Sequence, residues 1–225
     1  VQLLSRSNAK TVKGEKRGYL THILYLAPGN LSGYEVCGGR STGCFSDCLF
    51  TAGRGQMSSV QQARLRKTKW FFEDRDSFMQ ALHSDIAKAI AYSVKKGMTP
   101  VFRLNGTSDI PWESIRCGEH KNIFAAYPDQ IFYDYTKILG RIKIPKNYHL
   151  TFSRSEANDK QILKAFAKGM NVSVVFDSLP RSFMGYPVIN GDADDLRFLD
   201  SPESVIGLKA KGKAIHSNTN FVIRT

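Results

Sequence analysis

Seven short apolar runs, each rich in β-forming side chains, are spaced along this chain, and polar clusters follow most of them. They are Tyr19–Ala27, Pro100–Leu104, Ile131–Tyr135, His149–Phe152, Val172–Phe176, Pro187–Ile189 and Val205–Leu208. Several lack the polar alternation of a half-exposed strand, which marks strands buried on both sides. Helical patterns separate the early runs. A basic helix is expected from about Met57 to Phe72, and a second from Ser77 to Lys96, where Phe78, Leu82, Ile86, Ile90 and Val94 recur every fourth residue. Met79 and Ala89 flank that stripe and Gly97 ends it. Ser153 with Glu156 reads as a capping box opening a helix that runs to about Lys168. Strands alternating with helices imply parallel pairing through crossovers. The expectation is therefore an α/β protein, a partial or compact, TIM-barrel-like (β/α) barrel with mostly parallel strands. An open doubly wound sheet is the runner-up, disfavoured because no dinucleotide-type glycine fingerprint and no phosphate loop is present.

The chain has 225 residues, a length that suits one α/β barrel domain. Residues 1–18 are polar and basic without clear period and read as an arm, leaving 19–225 as a single domain. Apolar side chains make up 42% of the sequence, enough for a packed core, which excludes a disordered chain. No apolar run approaches the roughly 20 residues that cross a bilayer, and no secretory signal is evident, so a cytoplasmic protein with no membrane partner is expected.

Three of the four cysteines fall together after the first apolar run, in Cys37-Gly-Gly-Arg-Ser-Thr-Gly-Cys44-Phe-Ser-Asp-Cys48; Cys117 stands apart. Two disulfides fit this uneven placement poorly. Three thiolates on a glycine-rich loop suit three corners of an iron–sulfur cluster, with one iron left open. Zinc is the alternative, but it wants a fourth ligand, and the spacing of Cys117, His22, His83, His120 and His149 nominates none.

The net charge of +12 favours a polyanionic partner, a nucleotide or a nucleic acid. If a barrel forms, the residues following the strands collect at one face, where barrels place their sites. They include the cysteine loop, Asn105, Thr107, Ser108, Asp109, Thr136, Lys137, Ser153, Glu156 and Asp177. A rival reading takes Tyr133 or Tyr135, beside Lys137, as a nucleophile for nucleic-acid strand transfer, with acids binding Mg²⁺; the plainer reading packs both phenols inside. Asp192, Asp194, Asp195 and Asp200 offer a divalent-ion site or a solvated turn. A zinc-stabilised nucleic-acid-binding module without catalysis is the third class.

The order strand, three-cysteine loop, helix, strand resembles the radical S-adenosylmethionine superfamily. There, such cysteines bind a 4Fe–4S cluster whose open iron chelates the amino acid end of the cofactor. More closely, several runs are similar to a phage- and mobile-element-associated family of radical-SAM-like proteins. They include Gly18–Thr21 through Pro28, Cys44–Gly55, Arg103–Ile110, Phe132–Lys137, Leu150–Ser153, Gly191–Asp200 and Gly207–Gly212. The resemblance covers nearly the whole chain and implies a fold and a cluster, with no particular reaction; a phage-encoded member would work in the host cytoplasm. It implies Cys37, Cys44 and Cys48 as cluster ligands. Asp109 would pair with the cofactor ammonium, Asn105, Thr107 and Ser108 would lie beside it, and Ser153, at a helix N-terminus, would meet its carboxylate. The common motif spaces its cysteines by three residues and then two; here the gaps are six and three.

Overall fold

The structure, a computed structural model, describes residues 2–6, 8 and 10–225. Its centre is a largely parallel, ten-stranded sheet. The strands are β1 (Leu4–Ser5), β2 (Tyr19–Leu24), β3 (Thr99–Arg103), β4 (Ile131–Thr136), β5 (Tyr148–Ser153), β6 (Val172–Phe176), β7 (Ser182–Phe183), β8 (Tyr186–Asn190), β9 (Val205–Lys209) and β10 (Val222–Ile223). They follow the order β1-β2-β3-β4-β5-β6-β9-β8-β7, and β10 pairs with β6. β2 through β6, β8, β9 and β10 run parallel, while β1 and β7 attach as antiparallel edges. The order has two ends, so the sheet does not close through its hydrogen bonds. All seven strands expected from sequence are present, within two or three residues of their expected ends.

Three strands were not expected. β1 lies in the stretch read as an arm, with Leu3 and Leu4 buried and Leu4 opposite Leu24. Helix α1 (Thr11–Glu15) follows it, so this stretch is woven into the fold; Val1, Ser7 and Ala9 of the same stretch lie outside the described residues. β10 fills a gap. β5 pairs with β6 only at Phe152↔Val172 and Ser153↔Ser173, and beyond that point β10 takes over at Val175 and Phe176.

The remaining helices are α2 (Thr42–Ser46), α3 (Ser58–Glu73), α4 (Arg75–Lys95), α5 (Ile123–Ala126) and α6 (Ile162–Ala167). Helices α3 and α4 bring Phe71, Phe78, Leu82 and Ile86 onto Leu24, Phe102, Leu104 and Phe132 of one sheet face. Further along the same face, α6 packs Ile162, Ala165 and Phe166 on Phe152, Val172, Val174 and Val205. Because side chains alternate along a strand, the opposite face carries Thr21, Ile23, Val101, Arg103, Tyr133, Tyr135, Thr151, Ser153 and Ser173. Leu196 and Phe198, from the loop after β8, close part of that face against Val101, Tyr133, Tyr19 and Ile131.

One helix differs from expectation. The predicted capping box at Ser153 does not form, because Ser153 still belongs to β5. Asn158 takes over the turn. Its Oδ1 accepts from the Ser155 N–H at 2.7 Å and its Nδ2 donates to the Ser153 carbonyl at 3.0 Å. The helix therefore starts only at Ile162.

Candidate functional site

Parallel strands place their following loops at one edge of the sheet, and a continuous hydrogen-bonded rim joins those loops here. The loop after β3 is shaped by Asn105, whose Oδ1 accepts from Ser108 Oγ, the Ile110 N–H and Trp112 Nε1, while its Nδ2 donates to the Ile110 carbonyl. Thr107 Oγ1 donates to the Leu26 carbonyl at 2.5 Å. Asp109 is buried and accepts from the Lys137 backbone N–H at 2.8 Å and from Arg141 at 3.3 Å. Burial lifts its carboxyl above the usual range, and those two donors oppose the rise. Asn105, Ser108 and Asp109 thus spend their polar atoms inside the rim. Lys137 and Ser153 meet directly, with Nζ donating to Oγ at 2.7 Å. Ser153 is a strand-end hydroxyl here and not a helix N-terminus, since the helix begins eight residues later than the capping box implied.

The cysteine loop lies across these ends and is anchored to most of them. Cys37 Sγ accepts from the Gly29 N–H at 3.4 Å and donates to the Thr107 carbonyl at 3.7 Å. The Gly43 N–H donates to Glu156 Oε1 at 2.7 Å, and Thr219 Oγ1, just before β10, donates to Asp47 at 3.0 Å. A Cβ at position 43 would come within 2.7 Å of Thr219 Oγ1 and 2.8 Å of Glu156 Oε1, so a larger residue there would push these two side chains aside. Ser41 caps α2 by accepting from the Cys44 N–H at 3.1 Å, which holds Cys44 in the first turn. Arg154, buried, completes the rim. It pairs with Asp159 and donates to the Asn220 and Phe221 carbonyls, stapling the segment that leads into β10.

The three thiols share one neighbourhood. Burial pushes Cys37 up to about 12, aided by the charges of Cys48 and Cys44 and opposed by the Gly29 N–H. Burial also raises Cys48, against the pull of Arg64 and Lys137. All three are free and half-buried. Among the described residues no three Cys, His, Asp or Glu side chains stand close enough together to hold a metal ion. Three thiols match an iron–sulfur cluster in kind, but as placed they do not converge to hold one, and Cys37 would lose its hydrogen bond to the Thr107 carbonyl on ligating while it could keep accepting the Gly29 N–H. Cys117 is elsewhere, packed with Ile123 and Phe124 in the helix-side core and bridged to His120.

The rival candidates occupy interior positions. Tyr133 is fully buried, with its hydroxyl 3.1 Å from Thr21 Oγ1. The Tyr135 hydroxyl is sealed from solvent, and burial raises its pKa. The acidic residues after β8 are each matched to a cation: Asp192 to Lys10 and Lys211, Asp194 to Arg17 and Arg197, Asp195 to Arg103 at 2.6 Å, and Asp200 to Arg197. The sequence reading missed Arg64, Arg141 and Arg154. Arg141 pairs with both Asp109 and Glu113. No sequence signal singled these arginines out from the other basic residues. Lys67 of the basic helix reaches inward to the Leu3 carbonyl at 2.8 Å, whereas Arg66 and Lys69 are exposed.

No helix among the described residues is long and apolar enough to cross a membrane. No curated protein and no solved structure matches the chain. A family model described as Gene product 88 matches residues 2–225, essentially the whole length, in keeping with the phage-type family that the sequence runs resemble. The chain belongs to the Gene product 88 family.

Proposed function

We propose that the chain is a radical-SAM-like iron–sulfur protein built on a partial (β/α) barrel, in which Cys37, Cys44 and Cys48 hold a 4Fe–4S cluster over the C-terminal strand ends. The observation that carries this reading is the placement of the cysteine loop. It is tied to the β3 loop through Thr107, to the β5 loop through Glu156 and to the approach to β10 through Thr219, which supports a site at the strand ends, the end of the sheet that barrel proteins use for chemistry. When bound, such a cluster supplies the electron that cleaves S-adenosylmethionine reductively, with hydrogen abstraction from a substrate to follow.

The chain's own residues have narrower tasks. Asn105, Thr107 and Ser108 shape the β3 loop, and Asp109 fixes Lys137 by accepting its backbone N–H. The Lys137 ammonium and the Ser153 hydroxyl are the polar groups placed to meet a ligand beneath the cysteine loop. The net charge of +12 and the exposed Arg66 and Lys69 support a nucleotide or nucleic acid as substrate.

Anaerobic reconstitution with iron and sulfide tests the reading. A brown protein absorbing near about 400 nm, and forming 5′-deoxyadenosine from S-adenosylmethionine once reduced, is the expected result. A colourless protein with one zinc per chain would replace it with the zinc-stabilised binding module.

A further inference from the structure

Two adjoining cavities, of about 430 and 620 Å³, lie between β1 and α4 at the β1 edge of the sheet. Leu4, Arg6 and Tyr92 wall both of them, so they form one continuous groove. It ends at Leu20 and Met98, where β2 and β3 begin, which is the end of the sheet opposite the cysteine loop. β1 is an edge strand, yet its backbone is already engaged. Asp85 Oδ2 accepts from the Leu3 and Leu4 N–H groups at 2.6 and 3.4 Å, and Lys67 Nζ donates to the Leu3 carbonyl. This edge therefore offers little to a further strand.

The charges along the groove are unbalanced. Arg6, Lys88 and Lys96 bring three cations to it, and no ion pair among the described residues engages any of them. Of its two carboxylates, Asp85 is spent on the β1 backbone, which leaves Glu15. Two of the cations gather on one ring. The Arg6 guanidinium carbon lies 3.9 Å and Lys96 Nζ 5.9 Å from the Tyr92 ring centroid, and Tyr92 is itself 40% exposed. Lys88, Tyr92 and Lys96 follow at four-residue intervals along α4 and its C-cap. The two lysines thus stand about 12 Å apart along the helix axis, with Arg6 stacked at the middle position.

Cations strung along a line suit a chain of phosphates, whereas a single phosphate calls for donors that converge on one point. An aromatic ring set among them offers a base a surface to stack on. We propose that this groove tracks the backbone of a single-stranded nucleic acid, with Lys88, Arg6 and Lys96 meeting phosphates and Tyr92 meeting a base. The proposal rests on the nucleic-acid part of the function proposed above and names the surface for it; it uses neither the cysteine loop nor a cluster.

The test is a fluorescence-anisotropy titration of the metal-free chain with a labelled oligothymidylate of about 12 nucleotides, repeated over a range of salt. Saturable binding is expected. Lys88→Met and Lys96→Met, both at exposed side chains, should each weaken it. Each should also lower the slope of log affinity against log salt by about 0.7, and the two together by about 1.4. Tyr92→Leu should weaken binding at least about fivefold with the slope kept. Glu15→Gln should tighten it. Lys164→Met, which removes an exposed charge from α6, should bind as the parent does. Parent affinity and slope in the double lysine variant, with weakening in Lys69→Met, would reject the groove and leave the strand bound elsewhere. A duplex of the same length binding more tightly than the strand would reject a single strand as the occupant. No saturable binding by the parent would sink the groove and the nucleic-acid substrate together.

Discussion

On the helix-covered face of the sheet, Leu24, Phe102, Phe132 and Phe152 lie in a core of apolar side chains, with the His22 ring stacked on Phe102, and a void there has nothing to refill it. On the other face, Thr21, Arg103 and Tyr133 are buried too, but Thr21 and Tyr133 meet through their hydroxyls and Arg103 pairs with Asp195 and lies over the Tyr135 ring. The first face supplies stability through area and close packing. The second is held by matched charges, so it tolerates change only when both members of a pair change together. The rim that carries the cysteine loop grows from the strand ends where these two faces meet.

The largest effect should come from the packed face. Phe102→Ala removes a fully buried ring stacked on Phe132 and His22, and should cost about 3–5 kcal/mol in urea unfolding. A loss below about 1 kcal/mol would mean that the helix side is loosely packed. On the polar face, Asp195→Asn leaves Arg103 with only the longer, 3.8 Å contact to Asp134 and should cost about 3 kcal/mol, most of which the double change Arg103→Met with Asp195→Leu should restore. At Arg103, burial works against the charge, but Asp195 with Tyr135 and Asp134 outweighs it and holds the pKa well above the usual value. If the double variant is no more stable than the single one, the polar face is not held by this pair.

Titrating groups interrupt the helix side at His22 and at Asp134, and His22 gives a smaller, pH-dependent effect. Ser93 Oγ donates to the Ala89 carbonyl at 2.8 Å, so its 2.9 Å contact with His22 Nε2 is accepted from a neutral imidazole that carries its proton on Nε2. Burial, with Arg6 nearby, lowers the His22 pKa to about 4. Between about pH 6.5 and pH 4 the unfolded chain then binds a proton that the folded chain does not, so stability is full above that window and falls as pH drops through it, by at most about 3 kcal/mol. His22→Gln should flatten this slope; an unchanged slope would assign the acid sensitivity elsewhere. Smallest of all, Lys67→Met should cost about 1 kcal/mol through the lost bond to the Leu3 carbonyl. Lys69→Met should leave stability alone and weaken nucleic-acid binding with a shallower salt dependence.

Strand positions were legible because period and β-branching report directly on a buried parallel sheet. The α4 stripe was legible only in part. A four-residue repeat advances about 40° per step around a helix of 3.6 residues per turn, so by Val94 it has turned about 160° from Phe78. Phe78, Leu82 and Ile86 are buried accordingly, while Val94 is 66% exposed and Ser93 faces inward. β1 and β10 are two residues long and carry no period to read. Ser153 and Glu156 had the spacing of a capping box, but Asn158, three residues after Ser155, closed the turn first. The β3 loop was singled out as a cofactor-facing cluster, and in the structure Asn105 spends its side chain organising that loop. Nothing local in the sequence distinguishes a side chain that binds a ligand from one that binds its own backbone. Arg6, Lys88 and Lys96 were hidden among other basic residues because what sets them apart, a shared groove, exists only in three dimensions.

Iron content is the most direct test of the cysteine-loop assignment. Measured after anaerobic reconstitution of the parent, of Cys37→Ala, Cys44→Ala and Cys48→Ala, and of Cys117→Ala as control, it should be about four irons per chain in the parent and the control and near zero in the three loop variants. Equal iron in Cys44→Ala and the parent, or none in any of them, would contradict a cluster at this loop.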